Sequence, residues 1–316
     1  MKYIEEFHKK FLVGLTLKTT AKEFDKFLAE YSYYIEQIYF SIPLGEKFHS
    51  RIAVQQSFES EENVALFWQL LEIAKNRGIK LDMVLNTPDL TAEDVSEDVT
   101  TLKEHVMELD VITTLDEYYD YLTPHLTNEK IFCSYNNAIR SISDIKKLGH
   151  SYDSYVLGNS LMRAKDVHRY IVEELGKKVC LLINNGCSFN CEWCGHSEDG
   201  CERAFKLGMK KHTVEYLYAH QGVFPEELRN GTVNMEYIDT VKISNRSSDI
   251  RYLKRCMDSY VNNRLRPYLL ASRQNYSLWC KLLWFSPYYH KMSFRKIMQE
   301  KKKIYEASSE KGTNEE

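Results

Sequence analysis

Short runs of β-forming residues alternate with longer amphipathic segments along most of this chain of 316 residues. Eight of the short runs predict strands, and each is followed by residues that suit a helix. The predicted strands are residues 11–17, 38–42, 79–86, 110–114, 130–135, 154–157, 178–184 and 237–244. Strands separated by helices pair in parallel through right-handed crossovers, so eight of them favour a closed (β/α)8 barrel of the TIM type over an open doubly wound sheet.

The pattern also divides the chain. We expect the barrel to occupy residues 1–262, with a cluster-binding loop at 185–202, a C-terminal helical extension or lid at 263–305, and a disordered tail at 306–316. The extension interleaves basic residues with aromatic ones. That composition suits either a helix that seals the barrel or a surface that holds single-stranded RNA, and we favour the seal.

Composition bounds the class of protein. The chain is 43% hydrophobic and 28% charged with a net charge of −3, which indicates a soluble globular protein and identifies no partner. Eight cysteines are too few for a disulfide scaffold in a chain of this length. The sequence has neither an N-terminal signal peptide pattern nor an apolar run long enough to span a membrane, so we expect a cytoplasmic protein with reduced thiols.

Three cysteines with C-x3-C-x2-C spacing follow the seventh predicted strand: Cys187, Cys191 and Cys194. Three thiolates this close together can bind one centre, and such soft ligands select zinc or an iron–sulfur cluster. Structural zinc usually takes two C-x2-C pairs, or one pair and two histidines, and neither set is present. The spacing therefore favours a [4Fe–4S] cluster, with zinc as the alternative metal and unligated thiols as a third interpretation.

The fourth ligand of such a cluster stays open at this point. Cys201 follows closely enough to reach the site, and His196 is nearer still, although it also suits an acid–base role. Cys133, in the fifth predicted strand, could point into the barrel beneath the cluster. The fourth position could equally be vacant. The remaining thiols are expected in the core: Cys180, Cys256 and Cys280.

Polar residues follow several predicted strands, where the active sites of (β/α)8 barrels lie. Lys242 and Arg246 would suit an anionic substrate, and with His196 they are our candidate catalytic residues. The candidate substrate-binding residues are Asn86, Asn136, Asn159, Asn184 and Asn185. The alternative for each asparagine is a role in a turn, because asparagine tolerates left-handed backbone geometry.

Two resemblances extend this interpretation. Cys187, Cys191, Trp193 and Cys194 resemble the cluster motif of radical S-adenosylmethionine enzymes. In that family three cysteines hold a [4Fe–4S] cube, and the open iron chelates the methionine part of S-adenosylmethionine. The resemblance therefore implies S-adenosylmethionine as a second cofactor.

The wider layout, over roughly residues 10–265, is similar to the collagenase-like peptidase family. The similarity lies in residues 155–159, 181–187 and 241–246. Better-understood relatives are barrels with Cys-held [4Fe–4S] clusters that hydroxylate tRNA, rRNA or quinone precursors without oxygen, drawing on prephenate. Proteolysis is not expected, because the chain shows neither a Ser/His/Asp arrangement nor an H-E-x-x-H motif.

These observations predict an iron–sulfur-dependent redox enzyme, hydroxylase-like or radical in type. Its substrate would be an anionic metabolite, a sugar, a peptide or RNA. A ferredoxin or flavodoxin would serve as electron donor. The hypothesis from another class is a zinc-stabilised barrel that binds RNA or a protein without catalysis.

Overall fold

Eight strands close into a parallel barrel in a computed structural model that describes residues 10–42, 60–86, 90–105, 108–183, 222–243, 249–262 and 294–312. Each strand pairs with its neighbours in sequence, and the last strand pairs with the first. The strands are β1 Lys10–Gly14, β2 Ile35–Phe40, β3 Lys80–Leu85, β4 Val111–Thr114, β5 Lys130–Cys133, β6 Ser154–Leu157, β7 Lys178–Leu182 and β8 Thr240–Ile243. The predicted (β/α)8 barrel is confirmed.

Helices occupy the crossovers and the C-terminal region. The α-helices are α1 Ala21–Tyr31, α2 Glu61–Asn76, α3 Ala92–His105, α4 Tyr119–Leu122, α5 Ile142–Ile145, α6 Lys165–Arg169, α7 Ile250–Val261 and α8 Phe294–Gly312. A π-helical turn, Tyr170–Glu174, continues α6. Short 3-10 turns follow β5, β6 and the return to the barrel after β7.

The first helix shows how local sequence signals set these elements. The Thr20 side chain accepts a hydrogen bond from Glu23 N, and the Glu23 carboxylate accepts one from Thr20 N, which together form a capping box. Its buried side chains recur at helical spacing: Phe24, Phe27, Leu28 and Tyr31. The cap is worth about 1 kcal/mol, so most of the stability of α1 comes from this buried face.

The barrel strands are buried on both faces, and the two faces belong to different apolar clusters. The smaller cluster is made of strand residues and fills the barrel interior: Leu12, Tyr39, Val84, Val111, Phe132, Val156, Cys180 and Leu182. The larger cluster joins the outward faces of the strands to the surrounding helices. Burial on both faces explains why these strands read as nearly continuous apolar runs.

Cys133 faces away from the barrel interior. On β5, Phe132 belongs to the interior cluster, whereas Ile131 and Cys133 belong to the cluster between strands and helices. Neighbouring residues of a strand point to opposite faces, so Phe132 points inward while Ile131 and Cys133 point outward. The expectation that Cys133 points into the barrel beneath the cluster, as a fourth ligand, is therefore wrong.

The C-terminal helix is longer than the sequence suggests. Helix α8 continues to Gly312, through residues that the sequence assigns to a disordered tail from 306 onwards. One of its side chains, Lys301, is fully buried against the barrel. No helix in the part of the chain that the structure describes has the length and hydropathy needed to cross a membrane.

Candidate functional site

A lysine–carboxylate pair crosses the interior of the barrel. The Nζ atom of Lys242, on β8, lies 3.5 Å from Oδ2 of Asp82, on β3. Strands β1 and β2 separate these two in the barrel, so the pair spans the interior rather than joining neighbours. The side chain of Asp82 is fully buried and that of Lys242 is 8% exposed, so the little exposure that the pair retains belongs to the lysine.

Two further side chains hold this pair in place. Thr113, on β4, donates a hydrogen bond of 2.8 Å from Oγ1 to Oδ1 of Asp82. The Lys242 ammonium lies 4.0 Å from the centroid of the Tyr39 ring, a distance at which a cation is attracted to an aromatic face. The Tyr39 hydroxyl donates to the carbonyl oxygen of Ile243 at 2.6 Å, which fixes the ring under the ammonium. The result is an oriented cation below the C-terminal rim of the barrel.

Asp82 and Tyr39 were not among the residues singled out from the sequence. The signal for Asp82 is a lone carboxylate in a strand that is apolar after Lys80, because a buried charge requires a partner. The sequence does not identify that partner, since Lys242 lies 160 residues further along the chain.

Hydrogen bonds from two asparagines at the rim link the residues that follow β3 to those that follow β5. The Asn86 side chain donates to Oγ of Ser134 at 3.3 Å, and the Asn136 side chain donates to the carbonyl oxygen of Asn86 at 3.2 Å. Asn159 begins the 3-10 turn that follows β6 at the same end of the barrel. The structure thus brings Asn86 and Asn136 together and assigns them a part in holding the rim.

The other predicted site residues lie outside the described residues. These are Cys187, Cys191, Cys194, Cys201, His196, Arg246, Asn184 and Asn185. The structure does describe both ends of the segment that carries the cysteines, residues 184–221. The chain leaves the barrel at Ile183 and returns at Gly222, and Val223 N donates to the Ile183 carbonyl oxygen at 2.7 Å. Both ends of the cysteine segment therefore lie at the C-terminal end of β7, beside Lys242, which pairs with Leu182.

The cysteines that the structure describes are core residues: Cys133, Cys180 and Cys256. Burial raises the pKa of Cys180 and of Cys256 to about 12, and it raises the pKa of Cys133 further. Thiols with such pKa values stay protonated at neutral pH and are poor ligands. Among the described residues, no group of three or more His, Cys, Asp or Glu side chains could hold a metal ion. A metal centre would therefore need ligands from outside the described residues, and the segment 184–221 carries the three closely spaced cysteines.

A polar cavity of about 500 Å³ opens at the opposite end of the barrel. It is lined by residues at the N-terminal ends of strands, and it includes neither Lys242 nor Asp82. Charged residues around it form ion pairs with one another: Lys80–Glu36, Lys103–Glu129 and Lys178–Asp239. Because this end of a (β/α)8 barrel usually contributes stability rather than catalysis, we place the candidate site at the Lys242 end.

Comparison with known proteins adds the following. No protein-family model and no curated protein matches the chain. Among solved structures, the chain is similar to a U32 peptidase, at 12% identity and a TM-score of 0.47 over 74% of this chain and 91% of that one. It is also similar to a monomeric dihydrodipicolinate synthase variant, at 11% identity and a TM-score of 0.41 over 87% and 95%.

A chain of the tryptophan synthase complex of Pyrococcus furiosus is similar at 12% identity and a TM-score of 0.39, over 81% of this chain and 96% of that one. Likenesses of this size do not assign the chain to a family. The class that the structure itself defines is a closed parallel (β/α)8 barrel with a buried lysine–carboxylate pair below its C-terminal rim.

Proposed function

We propose that this protein is an iron–sulfur-dependent redox enzyme that modifies an anionic substrate at the C-terminal mouth of its barrel. The observation that carries the proposal is the position of Lys242. It pairs in register with Leu182 at the end of β7, the strand from which the cysteine segment departs. The segment that carries the three thiols therefore starts and ends beside a cation held inside the barrel, which supports a shared site at this end of the fold.

The donor set of the cysteine segment fits an iron–sulfur cluster. Cys187 follows Ile183 by four residues, and four residues of extended chain span at most about 14 Å. Cys187 is thus tethered within reach of the mouth, and Cys191 and Cys194 follow it at a spacing that suits one centre. A bound cluster would supply one-electron chemistry, or an open iron for a cofactor such as S-adenosylmethionine. Thiolates that bind a cluster need a reducing environment, so we propose a cytoplasmic location.

The residues of the chain would divide the remaining work. Lys242 would bind an acidic group of the substrate, a metabolite, a sugar, a peptide or RNA, while Asp82 and the Tyr39 ring hold the ammonium in one place. Arg246 would add a second cation, and His196 would move a proton or contact the cluster. Electrons would come from a ferredoxin or flavodoxin.

The resemblance to the collagenase-like peptidase family supports a hydroxylase-like reaction that needs no oxygen. The C-x3-C-x2-C spacing supports the second candidate, a radical S-adenosylmethionine enzyme. Cleavage of S-adenosylmethionine by the dithionite-reduced protein separates the two. Cleavage favours the radical type, and an intact cofactor favours the hydroxylase-like type.

The decisive experiment is anaerobic purification with iron, sulfide and zinc analysis and an EPR spectrum after reduction. We expect about four irons and four sulfides per chain, as in a [4Fe–4S] cluster. The Cys191→Ala variant should lose them, whereas the matched control Cys256→Ala, in a buried position outside the motif, should keep them. Stoichiometric zinc without a reducible signal would refute the redox proposal and favour a zinc-stabilised binding protein.

A second variant tests the role of Lys242 separately from the metal. Lys242→Met should retain the metal content of the wild type, because the proposed metal ligands are cysteines and Lys242 is not one of them. It should lose turnover of an anionic substrate once one is found by screening. Loss of the metal in Lys242→Met would contradict the division of roles proposed here.

A further inference from the structure

Helix α8 is attached to the barrel by a buried cluster of three charged side chains, Arg163, Glu227 and Lys301. The Lys301 ammonium lies 2.5 Å from Oε2 of Glu227, and neither side chain is exposed. Arg163, from the turn after β6, lies 2.6 Å from Oε1 of the same carboxylate. The Lys301 ammonium also lies 4.0 Å from the centroid of the Phe224 ring.

This cluster binds the place where the chain re-enters the barrel after the cysteine segment. The carbonyl oxygen of Gly222 accepts hydrogen bonds from Lys301 Nζ at 2.8 Å and from an Arg163 nitrogen at 2.7 Å. Val223 N donates to Ile183, and the Val223 carbonyl accepts from the Tyr260 hydroxyl at 2.8 Å. The Gly222 carbonyl and both polar backbone groups of Val223 are thus held by the turn after β6, the end of β7, α7 and α8.

Helix α8 also packs Met298 and Ile304 against the main core cluster, but its other lysines add little to the docking. Lys302 and Lys303 are largely exposed and pair with Glu306 and Glu300 on the helix itself. Exposed pairs of this kind contribute little to stability. A buried ammonium, by contrast, is costly unless its partners are in position, so Lys301 specifies where α8 binds.

We propose that α8, acting through Lys301, is a positioning element for the metal-binding mouth. By fixing Gly222 against Ile183, the cluster of Arg163, Glu227 and Lys301 holds together the two ends of the segment that carries the cysteines. These three are positioning residues in this proposal, because they are neither the proposed metal ligands nor the proposed substrate-binding residues. The effect on metal binding rests on the proposed function, whereas the effect on the position of Gly222 does not.

The experiment compares Lys301→Met with Lys302→Met, its exposed neighbour, in the full-length protein purified anaerobically. Hydrogen exchange is followed in the peptide that covers residues 222–228, and metal release to a chelator is timed. In Lys301→Met we expect both rates to rise roughly 10- to 100-fold, the factor for a lost hydrogen bond to a charged group. Lys302→Met should match the wild type in both rates.

Two results would overturn the inference. Equal exchange at residues 222–228 in both variants would show that Lys301 does not hold the re-entry point. Faster exchange with an unchanged rate of metal release would show that the cluster is structural only. Should Lys301→Met fail to fold, Lys301→Gln keeps a donor for Gly222 without the charge, and smaller changes in the same direction are expected.

A different measurement, the metal content of the wild-type protein, tests the proposed function. Wild-type protein without iron refutes the redox enzyme. If it holds zinc, zinc release takes the place of iron release. If it holds no metal, the positioning of a metal site is overturned with it, and hydrogen exchange alone decides whether Lys301 fixes the re-entry point.

Discussion

Two buried lysines of this barrel meet carboxylates in different ways. Lys301 and Glu227 are both fully enclosed and lie 2.5 Å apart, with Arg163 on the same carboxylate. Lys242 lies 3.5 Å from Asp82, keeps 8% of its side chain exposed, and rests on an aromatic ring. The first cluster is fully closed to solvent, whereas the second is open to the small extent that the Lys242 side chain is exposed.

The difference separates a structural charge from one that is available for binding. In the enclosed cluster every charge is used within the protein, so its removal should affect stability and the position of the backbone. In the open pair the ammonium has room for another acceptor, so its removal should affect ligands more than folding. Burial alone would not have distinguished them, because both carboxylates are fully buried.

The largest effect is expected from Glu227→Gln. This change leaves two cations, Arg163 and Lys301, close together without their shared carboxylate. Removing one partner from a buried ion pair costs about 3–5 kcal/mol. Urea unfolding should show a loss of this size in the free energy of unfolding. A loss below 1 kcal/mol would mean that water reaches the cluster.

The matching change in the barrel, Asp82→Asn, should lower the free energy of unfolding by less than Glu227→Gln does. Lys242 keeps the face of the Tyr39 ring and can turn towards solvent, so we expect a loss of about 1–3 kcal/mol. The same urea titration, run beside Glu227→Gln, measures the difference. Equal losses for the two variants would contradict the distinction between an open and an enclosed pair.

The lowered pKa of the buried Lys301 side chain should affect how stability changes with pH. Burial lowers its pKa to about 7, although the charge of Glu227 opposes that shift. The unfolded chain, with the usual lysine pKa of about 10.4, binds more protons to this group between these values, so the contribution of Lys301 to stability rises with pH in that window. From pH 7 to pH 8 this contribution rises by about 1 kcal/mol. Asp98, whose pKa burial raises to about 8, gives a slope of the opposite sign, so Lys301 is measured as the difference between the wild type and Lys301→Met.

Lys301→Met should remove this contribution, and Lys302→Met should preserve it. The other groups facing Lys301 do not titrate in this range. Burial raises the pKa of Glu227, but the charges of Lys301 and Arg163 outweigh it, so the net pKa lies below the usual value. Burial raises the pKa of Tyr260 and Tyr305, which keeps both neutral. Equal slopes in the wild type and in Lys301→Met would contradict the assignment to Lys301.

The smallest effect is expected from Lys302→Met. Lys302 is 76% exposed and lies 3.6 Å from Glu306, one helical turn further on. Exposed pairs at this spacing contribute about 0.3–0.5 kcal/mol, so the midpoint of urea unfolding should hardly move. A loss above 1 kcal/mol would mean that the outer face of α8 has a partner of its own.

Local patterns in the sequence were enough to predict the barrel and the start of several helices. The capping pairs Thr20–Glu23 and Thr91–Asp94 form as their spacing indicates. Gly78, just after the end of α2, has the positive φ of 68° that a glycine adopts without strain. These features depend on residues close together in the chain, so they can be inferred before any tertiary contact is known.

Which face of a strand points inward was decided only by the tertiary structure. Cys133 shows why, because both faces of a parallel barrel strand are apolar and the alternation carries no label for inside or outside. The same limit hid the partners of Asp82 and Lys301. Their contacts join residues 160 and 74 positions apart, through the register of the barrel and the docking of α8.

The sequence by itself thus determined the architecture, the C-terminal mouth as the place for polar residues, and three thiols in one short motif. The tertiary structure alone decided that Lys242 pairs with Asp82, that Lys301 is buried, and that both ends of the cysteine segment meet at the end of β7. Periodicity is a local property of the chain, whereas closure of a barrel brings distant side chains together.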